Sequence, residues 1–281
     1  MVNNHPEYLP VSPVQITERV SDNGMSKSRA GFVSTFLLAI LAGMYIGFGG
    51  IFSAIVTTGM SGVWPYGITK LLQGLAFSLG LILVVVGGAE LFTGNMLMVI
   101  AWAQHRIPIR SILRNWSIVY FGNFLGSILL ALLLTLGKSY GLSDGEFGRV
   151  LFNIADAKLS LDYLQAVTLG ILCNILVCLA VWLSNSAKNT TDKILAVIFP
   201  ISAFIAAGFE HSIANMFLIP VTFFIKYFDP SFALNLAIDL SKFTWSQFLF
   251  HNLLPVTIGN IIGGSIVVGL IYHFSFHKHQ N

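Results

Sequence analysis

The chain has 281 residues, of which 55% are hydrophobic and only 10% charged, with a net charge of +3 and a mean hydropathy of +0.78. So little polar surface excludes a water-soluble globule and points to a polytopic membrane protein. The excess of basic residues falls in loops, and neither a nucleic-acid-binding stripe nor a phosphate-binding glycine loop is present.

In chain order, residues 1–31 are polar, carry charges of both signs and do not form a cleavable signal peptide. Within them Ser12-Pro13-Val14-Gln15 reads as a capping-box start and Gly24 as a stop, which predicts a short surface helix. A membrane helix needs about 20 apolar residues, and six segments qualify: 32–58, 67–103, 115–137, 161–184, 194–225 and 250–274. With both termini on the cytoplasmic side, the inner loops hold nine Lys and Arg, Lys27 among them, and the outer loops hold six, Lys158 among them. The loop HRIPIRSILR carries most of this bias. The expected organisation is a cytoplasmic segment 1–31, one channel domain 32–274 and a cytoplasmic tail 275–281. Cys173 and Cys178 are five apart in one apolar segment, diverge on a helix, and suggest neither a disulfide nor a metal pair.

Segments two and five are too long for one clean span, and each has polar residues at its middle. GAELFTGNML (88–97) and GFEHSIANMF (208–217) share Gly-x-Glu, then a Gly or Ala, Asn and Met at equal spacing, while GNFLGSI (122–128) matches GNIIGGSI (259–266) apart from one inserted glycine. Two related halves, about 32–137 and 161–274, each with an odd number of spans, must be inserted in opposite orientations. Segments one and four show no match. In such inverted repeats, interrupted backbone at membrane depth is tolerated where it is buried or lines a cavity. Each half-helix that restarts after its break, near Thr93 or Gly94 and near Ser212 to Ala214, aims its positive end at the midplane, which favours an anion. Thr93 and Ser212 are good N-cap residues.

Glu90 and Glu210 read as scaffold that accepts hydrogen bonds from amides freed by the breaks, since bare carboxylates would repel an anion. His211 is the one histidine at midplane depth and reads as functional. Asn95 and Asn215 serve either as interhelical glue or as pore lining, and Asn123 and Asn260, in Gly-x-x-x-Gly frames, read as close-packing sites.

The runs FSLGLILVVVGGAELFTGN (77–95), NILVCLAVWLS (174–184), GFEHSIANMFLIP (208–220) and NLLPVTIGNIIGG (252–264) resemble the formate/nitrite transporter family over almost the whole chain. That resemblance implies an all-α, aquaporin-like fold of six transmembrane helices with helices 2 and 5 broken, assembled as a homopentamer with one pore per protomer in the inner (cytoplasmic) membrane, both termini cytoplasmic. It implies no cofactor, no metal and no enzymatic activity. The family's central histidine falls on His211 and its partner threonine on Thr93. Its apolar constrictions fall on Leu81, Leu91 and Phe92 on one side of the centre and on Phe77 and Phe204 on the other. Asn174, Val177 and Asn215 match further pore-lining positions, Lys158 matches a lysine that lends positive potential, and Lys27 is assigned the same electrostatic part. Taken alone, each of these leucines and aromatics would be ordinary core or lipid-facing surface.

The implied partners are small monovalent anions, in the order formate, nitrite, hydrosulfide, together with protons and the lipid bilayer. The second half looks most like formate channels, whereas the first break, AELFTGN, is closer to the nitrite and hydrosulfide branches. A small anion that enters a ring of Leu and Phe loses its water, so either fixed positive potential offsets the cost or His211 passes it a proton. An aquaporin-type neutral-solute channel is the alternative from another class, but the chain lacks the Asn-Pro-Ala pair. An intramembrane enzyme lacks a nucleophile with a matched base, and an ion-driven carrier would differ by slow, coupled exchange.

Overall fold

An apolar segment too long for one crossing must either tilt or break, and in this chain two segments break. The computed structural model describes residues 11–276, so Lys278 and most of the expected 275–281 tail lie outside the described residues. The first helix, α1 (Pro13–Arg29), begins at the expected capping box, with Ser12 accepting from the Gln15 amide and Gln15 returning the bond. It runs through Gly24 rather than stopping there. Gly24 is buried, and a Cβ on it would come within 3.1 Å of Ala101. The helix is therefore a packed element that buries Ile16, Thr17 and Val20, not a short surface one.

The first half continues with α2 (Phe32–Val56), α3 (Tyr66–Gly87), a half-helix α4 (Gly94–Ala103) whose first turn is 3-10, and α5 (Ile109–Leu136). The second half has α7 (Tyr163–Ser184), α8 (Thr190–Ala206), the half-helix α9 (Ser212–Phe228) and α10 (Gln247–Phe276). Between the halves lies α6 (Glu146–Leu159), which a search for long apolar runs passes over. Among the described residues five helices are long and apolar enough to cross a membrane alone: α2, α3, α5, α7 and α10. The fifth predicted segment is divided by its break into α8 and α9, which supply a crossing only together.

The two halves pack alike: α2 lies against α3 and α5, α7 lies against α8 and α10, and α3 meets α8 across the pseudo-axis. Small residues permit the close crossings. A Cβ on Gly126 would fall on the carbonyl of Ile40, and one on Gly263 on the carbonyl of Ile171. The glycine inserted in GNIIGGSI also has a structural consequence. From Ile262 to Leu270, α10 winds as a π-helix, the wider turn that accommodates one extra residue in a helical ladder. The first and fourth segments, unmatched in sequence, hold equivalent positions, and α1 stands before α2 as α6 stands before α7.

Candidate functional site

Both breaks are assembled by the same steps. Helix α3 ends on Gly88 and α8 is followed by Gly208, each in the left-handed region with φ of +75° and +72°, where a side chain would be strained. The next amides turn back, Ala89 N to Val84 O and Phe209 N to Phe204 O, both at 3.0 Å. The amides of Glu90 and Glu210 then reach the neighbouring spans, to Leu38 O and Leu169 O at 3.3 Å. At membrane depth no water satisfies a free backbone group, so every such group needs a partner from the protein.

Two asparagines supply most of these partners. Asn123 Oδ1 accepts from Phe92 N at 2.9 Å while its amide donates to Ala39 O and Glu90 O at 2.8 and 2.9 Å. Asn260 Oδ1 accepts from Ser212 N at 2.9 Å while its amide donates to Gly170 O and Glu210 O at 2.8 and 3.0 Å. The glycines of the Gly-x-x-x-Gly frames do the close packing, and the asparagines between them hold the broken backbone. Sequence reading assigns that second job to Glu90 and Glu210, which have other partners. Glu90 pairs with Lys27 at 2.6 Å and accepts from Asn95 Nδ2 at 2.7 Å. Glu210 pairs with Lys158 at 2.8 Å and accepts from Asn215 Nδ2 at 2.7 Å. Asn95 and Asn215 reach on to Asn115 and Asn252, both at 2.8 Å. Asn215 thus acts as interhelical glue and lines neither of the cavities described below.

The symmetry fails at the centre. Where the first break has Leu91 and Thr93, the equivalent positions of the second are His211 and Ile213. His211 caps α9, its Nδ1 accepting from Ala214 N at 3.0 Å, so the cap is the histidine and not Ser212. Thr93 caps nothing with its side chain. Its Oγ1 instead lies 2.9 Å from His211 Nε2. Because Nδ1 accepts, the hydrogen of the neutral ring is assigned to Nε2, which donates to Thr93 and leaves the threonine hydroxyl proton available to a third group. From α7, Asn174 Nδ2 and Cys178 Sγ both donate to the Thr93 carbonyl at 3.3 Å, and Asn174 also reaches Asn260 O at 2.6 Å. Sequence reading assigns Cys178 no role.

Two cavities converge on this pair. One, of about 580 Å³, opens beside α1 and is lined by Leu81, Leu91, Glu90, Lys27, Arg19 and Lys193, among others. The other, of about 190 Å³, opens beside α6 and is lined by Phe77, Phe204, His211, Lys158, Glu210 and Lys70, among others. No described residue lines both. The α6 side is shut by aromatic contacts: Phe77 meets Phe204 edge to face at 5.7 Å, and Phe204 stacks on the His211 ring at 5.9 Å. Thr93, Asn174 and Val177 are buried and line neither cavity. Phe92 departs from the expected constriction: its ring packs on Tyr120 at 4.8 Å and Trp116 at 6.2 Å, against α5, and it lines neither cavity. Since Phe92 N is held by Asn123 and the next residue must face His211, the side chain is directed away. Sequence reading counts Lys70, Arg19 and Lys193 only as loop charges, although each lines one of the two cavities.

A protein-family model described as formate/nitrite transporter matches residues 14–274. The chain is 44% identical over 268 residues to the formate channel FocA of Escherichia coli (strain K12), covering 94% of this chain and 93% of the relative. It is 37% identical over 273 residues to the formate channel FocA of Haemophilus influenzae, covering 96% of each. Among solved structures, a pentameric formate channel with formate bound superposes with a TM-score of 0.82 at 45% identity, covering 88% of this chain and 98% of that one. An FNT family ion channel superposes with a TM-score of 0.80 at 27% identity, covering 92% and 98%.

Proposed function

The chain belongs to the formate/nitrite transporter family, and from that membership we propose that it is a pH-dependent membrane channel for formate and related small monovalent anions, assembled as a homopentamer with one pore per protomer. The observation that carries this reading is the single Thr93–His211 pair, 2.9 Å apart, buried between two cation-lined cavities. Both termini are placed in the cytoplasm and the protein in the inner membrane, in line with the basic loop between α4 and α5. The cavity beside α1 is then the cytoplasmic vestibule and the one beside α6 the outer vestibule.

An anion in either vestibule keeps its water and is attracted by lysine and arginine. To pass between Leu81 and Leu91 on one side and Phe77 and Phe204 on the other it must shed that water, at a cost that a protonated weak acid avoids. The Thr93 hydroxyl proton, left available by the bond from His211 Nε2, meets the solute as a donor. For His211 itself to give up a proton the ring must first become cationic, which requires Nδ1 to leave the Ala214 amide. Proton transfer is therefore tied to the start of α9, and the pH dependence of flux reports on that cap.

The deciding experiment follows influx of formate, nitrite, hydrosulfide and glycerol into proteoliposomes at two external pH values. Faster anion entry at acid pH, without glycerol entry, supports the channel reading, and the order of rates names the substrate. Glycerol entry without anion entry replaces it by a neutral-solute channel. His211→Asn is expected to keep assembly and alter the pH profile of formate influx; profiles identical to wild type remove the proton role.

A further inference from the structure

Two lysines line the outer vestibule, and they differ in whether a carboxylate neutralises them. Three charged side chains line that cavity: Lys158 from α6, Glu210 from the second break and Lys70 from the first turns of α3. Lys158 and Glu210 are 2.8 Å apart with side chains only 14% and 5% exposed. At the distance of an arriving anion such a pair acts as a dipole, whose potential falls faster than that of a lone charge. Lys70 has no carboxylate partner among the described residues. Its Nζ donates to the neutral Gln73 Oε1 at 3.0 Å and lies 5.6 Å from the centre of the Tyr66 ring, contacts that hold the ammonium without cancelling its charge.

From this we infer that Lys70 is the anion-capturing, specificity-determining group of the outer vestibule, while Lys158 keeps Glu210 neutralised and in place. The inference rests on the anion-channel reading above. The cytoplasmic vestibule follows the same arrangement. Lys27 is consumed by Glu90 at 2.6 Å, and Asp22 by Arg106 at 2.6 Å, which leaves Arg19 and Lys193 without an ion pair among the described residues. Each mouth therefore separates a paired lysine that holds the break from an unpaired cation that faces the solute. The other acid and base near the outer mouth, Asp156 of α6 and Lys242, are paired with one another at 2.8 Å and line neither cavity.

The test is formate flux through the full-length channel in planar bilayers as a function of concentration and ionic strength. For two charges about 10 Å apart in a partly aqueous cavity, Coulomb attraction corresponds to roughly a two- to tenfold effect on local concentration. Lys70→Gln is thus expected to raise the half-saturating formate concentration two- to tenfold at low salt while leaving the flux at saturation nearly unchanged. The difference from wild type is expected to shrink as impermeant salt shortens the screening length, and Lys70→Arg to restore wild-type behaviour. A purely structural role of Lys70 would instead lower flux equally at every concentration and salt level. That result, or a half-saturation unchanged in Lys70→Gln, overturns the inference and leaves the channel reading standing. A wild-type protein without formate flux sinks the channel reading, and this inference with it.

Discussion

The two breaks share one skeleton and differ in their contents. Each has a left-handed glycine, a carboxylate held by a lysine and an asparagine, and a second asparagine from the following span that binds the freed amide and two carbonyls. Yet the first presents Leu91 where the second presents His211, and Thr93 where the second presents Ile213. The duplicated part is what a broken helix needs to survive in a membrane, and the unduplicated part is what the proposed channel function assigns to the solute. A pore with twofold identical contents would set two histidines, or two threonines, against each other, whereas one of each makes a donor–acceptor pair.

The largest expected effects test the shared skeleton. Asn260→Ala strips partners from Ser212 N, Gly170 O and Glu210 O, and at about 1–3 kcal/mol per buried unsatisfied group the loss is several kcal/mol. Asn123→Ala, which strips Phe92 N, Ala39 O and Glu90 O, is expected to lose as much. Thermal unfolding and size-exclusion profiles in detergent check both, and a silent variant on one side only would break the symmetry argument. Next, Lys158→Met leaves Glu210 buried and unpaired at about 3–5 kcal/mol. Lys27→Met should cost less, because the Lys27 and Glu90 side chains are 29% and 14% exposed and water screens what remains. Equal losses in the two variants would mean that burial does not set the difference.

The unshared contents are tested by function. Thr93→Val removes the acceptor for His211 Nε2, at about 1–2 kcal/mol, and is expected to lower formate influx roughly tenfold with assembly retained. Wild-type flux in that variant would show that the pair is structural. The smallest effect compares caps inside and outside the membrane. Asp229 caps the short helix Pro230–Leu234 as His211 caps α9. Its carboxyl is held below the usual range by the Ser231 hydroxyl first and the Phe232 amide second, and burial opposes them. A lowered folded value means this stabilisation is present above the ordinary aspartate range and disappears as the pH falls through the folded value. Asp229→Asn should therefore change stability slightly near neutrality, by about 0.5 kcal/mol or less for so exposed a group, and not at all in strong acid. Thermal melts at pH 7 and pH 3 show whether that sign is right.

Much of this was readable in the chain. Gly and Glu at matching places in overlong apolar runs forced the two breaks, because a carboxylate at membrane depth is costly unless an interruption or a site gives it partners. The repeat of GNFLGSI as GNIIGGSI foretold both the inversion and the one residue inserted within the matched stretch of α10. The amphipathic α6 was legible too, since Phe147, Leu151, Phe152, Ala155 and Leu159 mark one helical face, but a search for runs of about 20 apolar residues passes over a short helix of 14.

What the sequence by itself determined was therefore local or periodic: the solvent, the spans, the interruptions and the duplication. Tertiary structure alone decided the partners. That Lys27 and Lys158 are occupied by glutamates 63 and 52 positions away, that Asn123 and Asn260 hold the breaks, and that Phe92 turns to α5 while Leu91 lines the cavity beside α1 all depend on which groups meet across helices. Hydrophobicity and periodicity act along the chain. Hydrogen bonds and ion pairs in a membrane are chosen by what is left unsatisfied once the helices have packed, and nothing in a linear string names the segment that will supply the other half.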